Sequence, residues 1–99
     1  LLPVDEHRVE LPTLKLYQNY PNPFKNTTII GFNIGGLSPT EVSLKVYNIS
    51  GREVMDLSRY IKGGEGSVVI DGGDLASGIY FYQIRDREVI QTKKMICVK

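Results

Sequence analysis

The sequence has no tryptophan, one histidine and one cysteine among its 99 residues, and each scarcity excludes a class of chemistry. With Cys97 alone, no disulfide can form within the chain. Cys97 alternates with Met95 in an apolar stretch, where a cysteine packs as a small hydrophobe. A reactive thiol or an intermolecular bridge would need a flanking base or a second cysteine beside it, and neither is there. His7 is the single imidazole. Ser50, Ser67 and Ser77 have no other candidate base, so no Ser-His-Asp arrangement is expected, and one imidazole without a second ligand is no metal site. Charge of one sign is also missing. Twelve Lys and Arg face eleven Asp and Glu, for a net charge of +1, which gives no field that favours nucleic acid or an anionic membrane. No apolar run approaches the roughly 20 residues that span a bilayer, so no transmembrane segment is expected. No signal peptide is seen, and the chain opens at Leu1. It is read as a piece of a longer protein, with Lys99 as the natural end.

What is present is an ordinary globular composition, 41% hydrophobic and 23% charged, in a length suited to one domain with one modest core. Residues 1–13 mix charge and proline (Pro3, Asp5, Glu6, Arg8, Glu10, Pro12) without periodicity, and read as a linker from an upstream domain or as an edge segment. From Leu14 to Lys99 short apolar stretches alternate with turn residues. Thr28–Ile34 is β-branched and apolar enough for a buried strand. Val42–Tyr47 alternates strictly, with Val42, Leu44 and Val46 on the core face. Asn48-Ile49-Ser50-Gly51 is a hairpin turn, in which Gly51 supplies a positive φ before Arg52-Glu53-Val54-Met55 returns. The stretch from Arg59 to Gly66 is too glycine-rich for a helix. Ser67–Ile70 is the next strand, Asp71-Gly72-Gly73-Asp74 a turn, and Gly78–Arg85 an aromatic strand. Asp86-Arg87 is the tip of a last hairpin whose return arm is Val89–Val98. Six or seven short strands without an amphipathic helix predict an all-β, immunoglobulin-like antiparallel β-sandwich.

No constellation of catalytic residues stands out, and no cofactor is implied. Asp71 and Asp74 lack the further oxygen ligands of a calcium loop and fit an Asx-type turn. Gly63-Gly64-Glu65-Gly66 lacks the lysine and following helix of a phosphate-binding loop. Asn26-Thr27-Thr28 and Asn48-Ile49-Ser50 match the glycosylation pattern, a short match that often arises by chance and says at most that both segments lie on a surface. On the aromatic strand Tyr80, Tyr82 and Ile84 share one face, and Ile79, Phe81 and Gln83 the other. Both faces are apolar, as in a central strand covered on both sides. The tyrosines are therefore read as core, with a sugar-stacking platform as the competing reading.

Four segments in order resemble one family. Leu16-Tyr17-Gln18-Asn19-Tyr20-Pro21-Asn22-Pro23-Phe24 is similar to the opening motif of the type A C-terminal sorting domain of the type IX (Por) secretion system. Val46-Tyr47-Asn48-Ile49-Ser50-Gly51-Arg52-Glu53-Val54 resembles its central hairpin, Leu75-Ala76-Ser77-Gly78-Ile79-Tyr80-Phe81-Tyr82 the motif before its last hairpin, and Lys93-Lys94-Met95-Ile96 its terminal motif. The chain departs from the family at Ile70, where a tryptophan is common, and at Lys25-Asn26-Thr27, where a second proline-bearing stretch is common.

The resemblance implies an immunoglobulin-like sandwich at the end of a cargo protein of Bacteroidetes-type bacteria. The cargo passes through the periplasm, and the domain is recognised by the outer-membrane translocon. A sortase-like peptidase then removes the domain, leaving the cargo secreted or attached to the cell surface. The domain itself is no enzyme. Pro21, Pro23, Phe24, Gly51, Gly78 and Tyr80 are then structural motif positions, and Arg52, Glu53, Lys93, Lys94 and Lys99 are recognition candidates. Lys93 and Lys94 point to opposite faces of a regular strand. Partner recognition and protection of an edge strand against unwanted pairing explain them equally well. Two other classes stay open: a carbohydrate-binding or adhesive sandwich module, and a structural spacer. An unpaired amino-terminal segment also leaves a homodimer possible.

Overall fold

A computed structural model describes residues 14–99; the linker reading of residues 1–13 and the placement of His7 lie outside the described residues. Seven strands follow in order: β1 Lys15–Leu16, β2 Thr27–Asn33, β3 Ser43–Asn48, β4 Glu53–Asp56, β5 Glu65–Asp71, β6 Gly78–Arg85 and β7 Ile90–Cys97. Single 3-10 turns occur at Pro39–Glu41, Ser58–Tyr60 and Gly72–Asp74, and the described residues hold no α-helix. The strands form two antiparallel sheets, one in the order β1-β2-β5 and the other β4-β3-β6-β7. The expected all-β fold of two antiparallel sheets is what the chain adopts, and it is compatible with an immunoglobulin-like sandwich.

One core joins the sheets. Ile30 and Phe32 of β2 and Val68 and Ile70 of β5 meet Leu44 and Val46 of β3, Tyr82 and Ile84 of β6, and Met95 and Cys97 of β7. Period-2 alternation produces this: every second residue of a strand falls on one face, and burial of that apolar set drives the sheets together. The glycine-rich connection after β4 also contributes, since Leu57 and Ile61 flank its 3-10 turn and are both buried.

Two expectations change. First, β6 is covered on one side only. Tyr80, Tyr82 and Ile84 are buried, but Ile79 and Phe81 remain 41% and 37% exposed. A two-layer sandwich covers one face of each sheet, so a central strand keeps an open outer face even when its outer residues are apolar. Second, the tyrosines divide. Tyr80 and Tyr82 are core, whereas Tyr17, Tyr20 and Tyr60 lie on the surface, Tyr20 at 78% exposure. The Asp71 turn is of the Asx type as expected, with Asp71 Oδ1 accepting from Gly73 N at 2.9 Å.

Candidate recognition surface

The opening motif lies against the last strand. Gln18 Nε2 donates to Lys94 O at 2.7 Å, Ile96 N to Asn22 Oδ1 at 2.9 Å, Phe24 N to Ile96 O at 2.9 Å, and Val98 N to Phe24 O at 2.9 Å. Further along, Gln91 Oε1 accepts from Leu16 N and Gln91 Nε2 donates to Leu14 O. The outer edge of β7 is thus occupied by the chain's own residues 18–24. Over that length Lys94 O, Ile96 N, Ile96 O and Val98 N are paired, which leaves fewer ladder groups open to unwanted pairing.

A buried polar network holds the opening motif in place. The Tyr82 hydroxyl donates to Tyr17 O at 2.7 Å and accepts from Asn19 N at 2.7 Å. Asn19, itself 2% exposed, donates from Nδ2 to Pro21 O and to Thr28 Oγ1, and its Oδ1 accepts from Gln18 Nε2. Thr28 Oγ1 in turn donates to Pro21 O at 2.8 Å. Among the described residues every buried side-chain nitrogen and oxygen has a partner. Burial pushes the Tyr82 phenol up to about 12, against the opposing pull of the Asn19 N–H. Phe24 is fully buried beside Gly72, where a built Cβ would stand 2.7 Å from the ring. Only glycine fits that contact.

The central hairpin is set by Asn48. Its Oδ1 accepts from Ser50 N, Ser50 Oγ and Arg52 N, and Gly51 sits at φ 85°. That turn leaves Ile49 75% exposed and puts Arg52 on the surface. Ser77 Oγ accepts from Lys99 N, and Lys99 Nζ donates to Gly73 O at 2.8 Å. Lys99 is exposed, and this contact uses one of its three ammonium donors. Gly78 opens β6, and Tyr80 is buried with its hydroxyl donating to Ala76 O at 2.7 Å. Pro21 and Pro23 are exposed beside the buried Phe24.

Register brings the other candidates together. Glu53 pairs with Tyr47, Tyr47 with Phe81, and Phe81 with Lys94. This row crosses all four strands on the outer face of the larger sheet, about 14 Å from end to end at the usual strand spacing. Glu53 and Lys94 stand at its ends, with two aromatic rings between them. Ile79 and Ile96 form the neighbouring pair on the same face. Lys93 takes the opposite, inner face of β7, opposite Tyr82, and is half-buried. Glu53 Oε1 lies 3.2 Å from Lys45 Nζ, and this hydrogen bond raises the lysine's pKa. In an exposed setting such a pair contributes little to stability. Sequence reasoning missed Phe81 and Ile79 as surface groups because it assigned both to the core. The available signal was the pairing of an apolar outer face with Lys94, a charge that tolerates only an open face.

Among the described residues no three of His, Cys, Asp and Glu cluster as metal ligands, and no helix is long and apolar enough to cross a membrane. No curated protein matches the chain. A family model described as the secretion system C-terminal sorting domain matches residues 18–99, a span that takes in nearly every contact described above. The chain belongs to that family, the sorting domains through which the type IX (Por) secretion system exports a cargo chain to the cell surface or the medium.

Proposed function

We propose that the domain acts without catalysis, by presenting the Glu53–Tyr47–Phe81–Lys94 row and the adjoining terminal strand to the outer-membrane translocon. The observation that carries this is convergence on Lys94. Its side chain ends a row contributed by the central hairpin and by the motif before the last hairpin, and its carbonyl receives Gln18 of the opening motif. Four segments scattered along the sequence thus meet at one place. A rigid sheet holds such groups more precisely than loops do, which suits a signal read after folding. Arg52, at the hairpin turn, flanks this face. On this reading residues 1–13 link the domain to its cargo and contain the bond that a sortase-like peptidase cuts before the cargo is attached at the surface.

The test fuses the chain behind a periplasmic reporter in a host with the type IX machinery. Lys94→Glu and Phe81→Ser strand the reporter in the periplasm, while the control Val69→Thr, on the outer face of the other sheet, is exported normally. Normal export of both row variants would sink the proposal. A sugar-binding reading is favoured only by Tyr20 and Tyr17, exposed on the smaller sheet with Lys15 Nζ 5.4 Å from the Tyr17 ring centroid. Tyr80, buried in the core, takes no part in it. Glycan-array binding lost on Tyr20→Ala would support that alternative.

A further inference from the structure

β5 ends the three-stranded sheet. Gly72 N donates to Asn26 O at 2.7 Å and Ile34 N to Gly64 O at 2.9 Å, which sets the phase of the β2–β5 ladder. The bonded pairs between them are Thr28–Ile70, Ile30–Val68 and Phe32–Gly66, because bonded and non-bonded pairs alternate in an antiparallel ladder. The N–H and C=O groups of Glu65, Ser67, Val69 and Asp71 therefore point away from β2. Among the described residues nothing pairs with them.

The other sheet edges are blunted. β1 is two residues long. β4 is four residues long and meets a register shift between Val46 and Tyr47. The outer edge of β7 is taken by residues 18–24 from Lys94 onward and carries Lys93 and Lys94 itself. β5 runs for seven residues with no proline, no lysine and no register shift, which is the kind of edge that natural sheets avoid leaving open.

Side chains give the edge a chemical preference. Glu65, Ser67, Val69 and Asp71 all lie on the outer face, so a carboxylate stands at each end of the strand, about 20 Å apart. Val69 is 60% exposed beside Ile29, which in turn bridges Tyr20. On the inner side an added strand would face Gly66, Val68 and Ile70, at the rim of the core. A second copy of this chain fits poorly, because full-length antiparallel self-pairing sets Glu65 against Asp71 twice.

We propose that the open edge of β5 accepts an extended segment of a partner polypeptide as an added strand, basic at both ends and apolar at alternate positions between. Main-chain bonds supply the affinity of such an addition and alternate side chains its specificity. The site lies on the sheet opposite the Glu53–Lys94 row and does not depend on the sorting proposal.

The probe is a capped heptapeptide, Lys-Val-Thr-Val-Thr-Val-Lys, added to the full chain while backbone amide exchange is followed by NMR. Saturable slowing is expected at Glu65, Ser67, Val69 and Asp71, and binding about tenfold weaker when both peptide lysines are glutamate. The double variant Glu65→Lys, Asp71→Asn reverses that preference, and the amide oxygen of the new side chain can still accept from Gly73 N. Val69→Pro removes only an outward N–H, leaves the bonds to β2 in place, and abolishes binding. The proposal is overturned if neither peptide slows those four amides, if both do so equally, if protection appears at another edge, or if the amides are already protected in the free chain in a concentration-dependent way.

Discussion

At the residue scale, Tyr82 ties the opening motif to β6, because one buried hydroxyl serves both Tyr17 O and Asn19 N. Tyr82→Phe keeps the ring and strands a buried donor and a buried acceptor, so chemical denaturation should show a loss of about 1–3 kcal/mol. Tyr82 also predicts an alkaline limit. The folded state holds the phenol at about 12 against an ordinary 10.0, so it favours the neutral form. The stability this contributes is whole below pH 10 and is lost as pH climbs through 12. Ultraviolet titration should therefore show one of the six tyrosines ionising late, in step with alkaline unfolding, and Tyr82→Phe should remove that late step. Gly72 is the second sensitive position. The Cβ of Gly72→Ala would stand 2.7 Å from Phe24 Cε2, and the buried ring cannot move without opening the core. A loss of about 1–3 kcal/mol is expected from overpacking, whereas Gly63→Ala, with open space around it, should be close to neutral.

At the scale of elements, the tight turns share one device, an acceptor side chain that collects the free N–H groups of a reversal. Asp86 takes N–H from Glu88 and Val89 at the β6–β7 tip, and Asp56 takes the hydroxyl and N–H of Ser58. The Val89 and then the Glu88 N–H lower the Asp86 pKa, and the Ser58 hydroxyl followed by its N–H lowers that of Asp56. Depressed carboxyl groups contribute stability above their unfolded pKa and lose it as pH falls through the folded one. Thermal melts should accordingly drop on acidification below about pH 4, and Asp86→Ala should flatten that drop. The turns at Asp71 and Asp86 were legible in the sequence, as were the strands Val42–Tyr47 and Gly78–Arg85, because short-range periodicity and turn-residue placement decide them. The covered face of β6 was not legible. Ile79 and Phe81 match Tyr80 and Tyr82 in apolar character, so alternation alone cannot choose between the faces. The seat of the opening motif was equally hidden, since Gln18 and Asn22 meet β7 across more than 70 residues of sequence and no local pattern encodes such a contact.

At the scale of the whole molecule, the terminal strand supports the fold and also carries part of the surface proposed for recognition, and the two roles belong to different side chains. Met95 and Cys97 are completely buried in the core, and Ile96 and Val98 hold the backbone of Phe24. Lys94 projects from the outer face, opposite Phe81. Deleting Met95–Lys99 would remove two core side chains and the bonds that seat the opening motif, and losses of about 2–5 kcal/mol for each large buried side chain are comparable with the whole stability of a small domain. A secretion defect in that deletion would report an unfolded domain as readily as a missing signal. Lys94→Glu separates the two, because an exposed charge can be reversed within about 0.5 kcal/mol. Circular dichroism should therefore show the deletion unfolded at room temperature and Lys94→Glu melting like the parent. In the reporter assay both should fail to export. If Lys94→Glu is exported normally while the deletion is not, the terminal strand acts through folding alone, and the Glu53–Lys94 row loses its place as the recognition face.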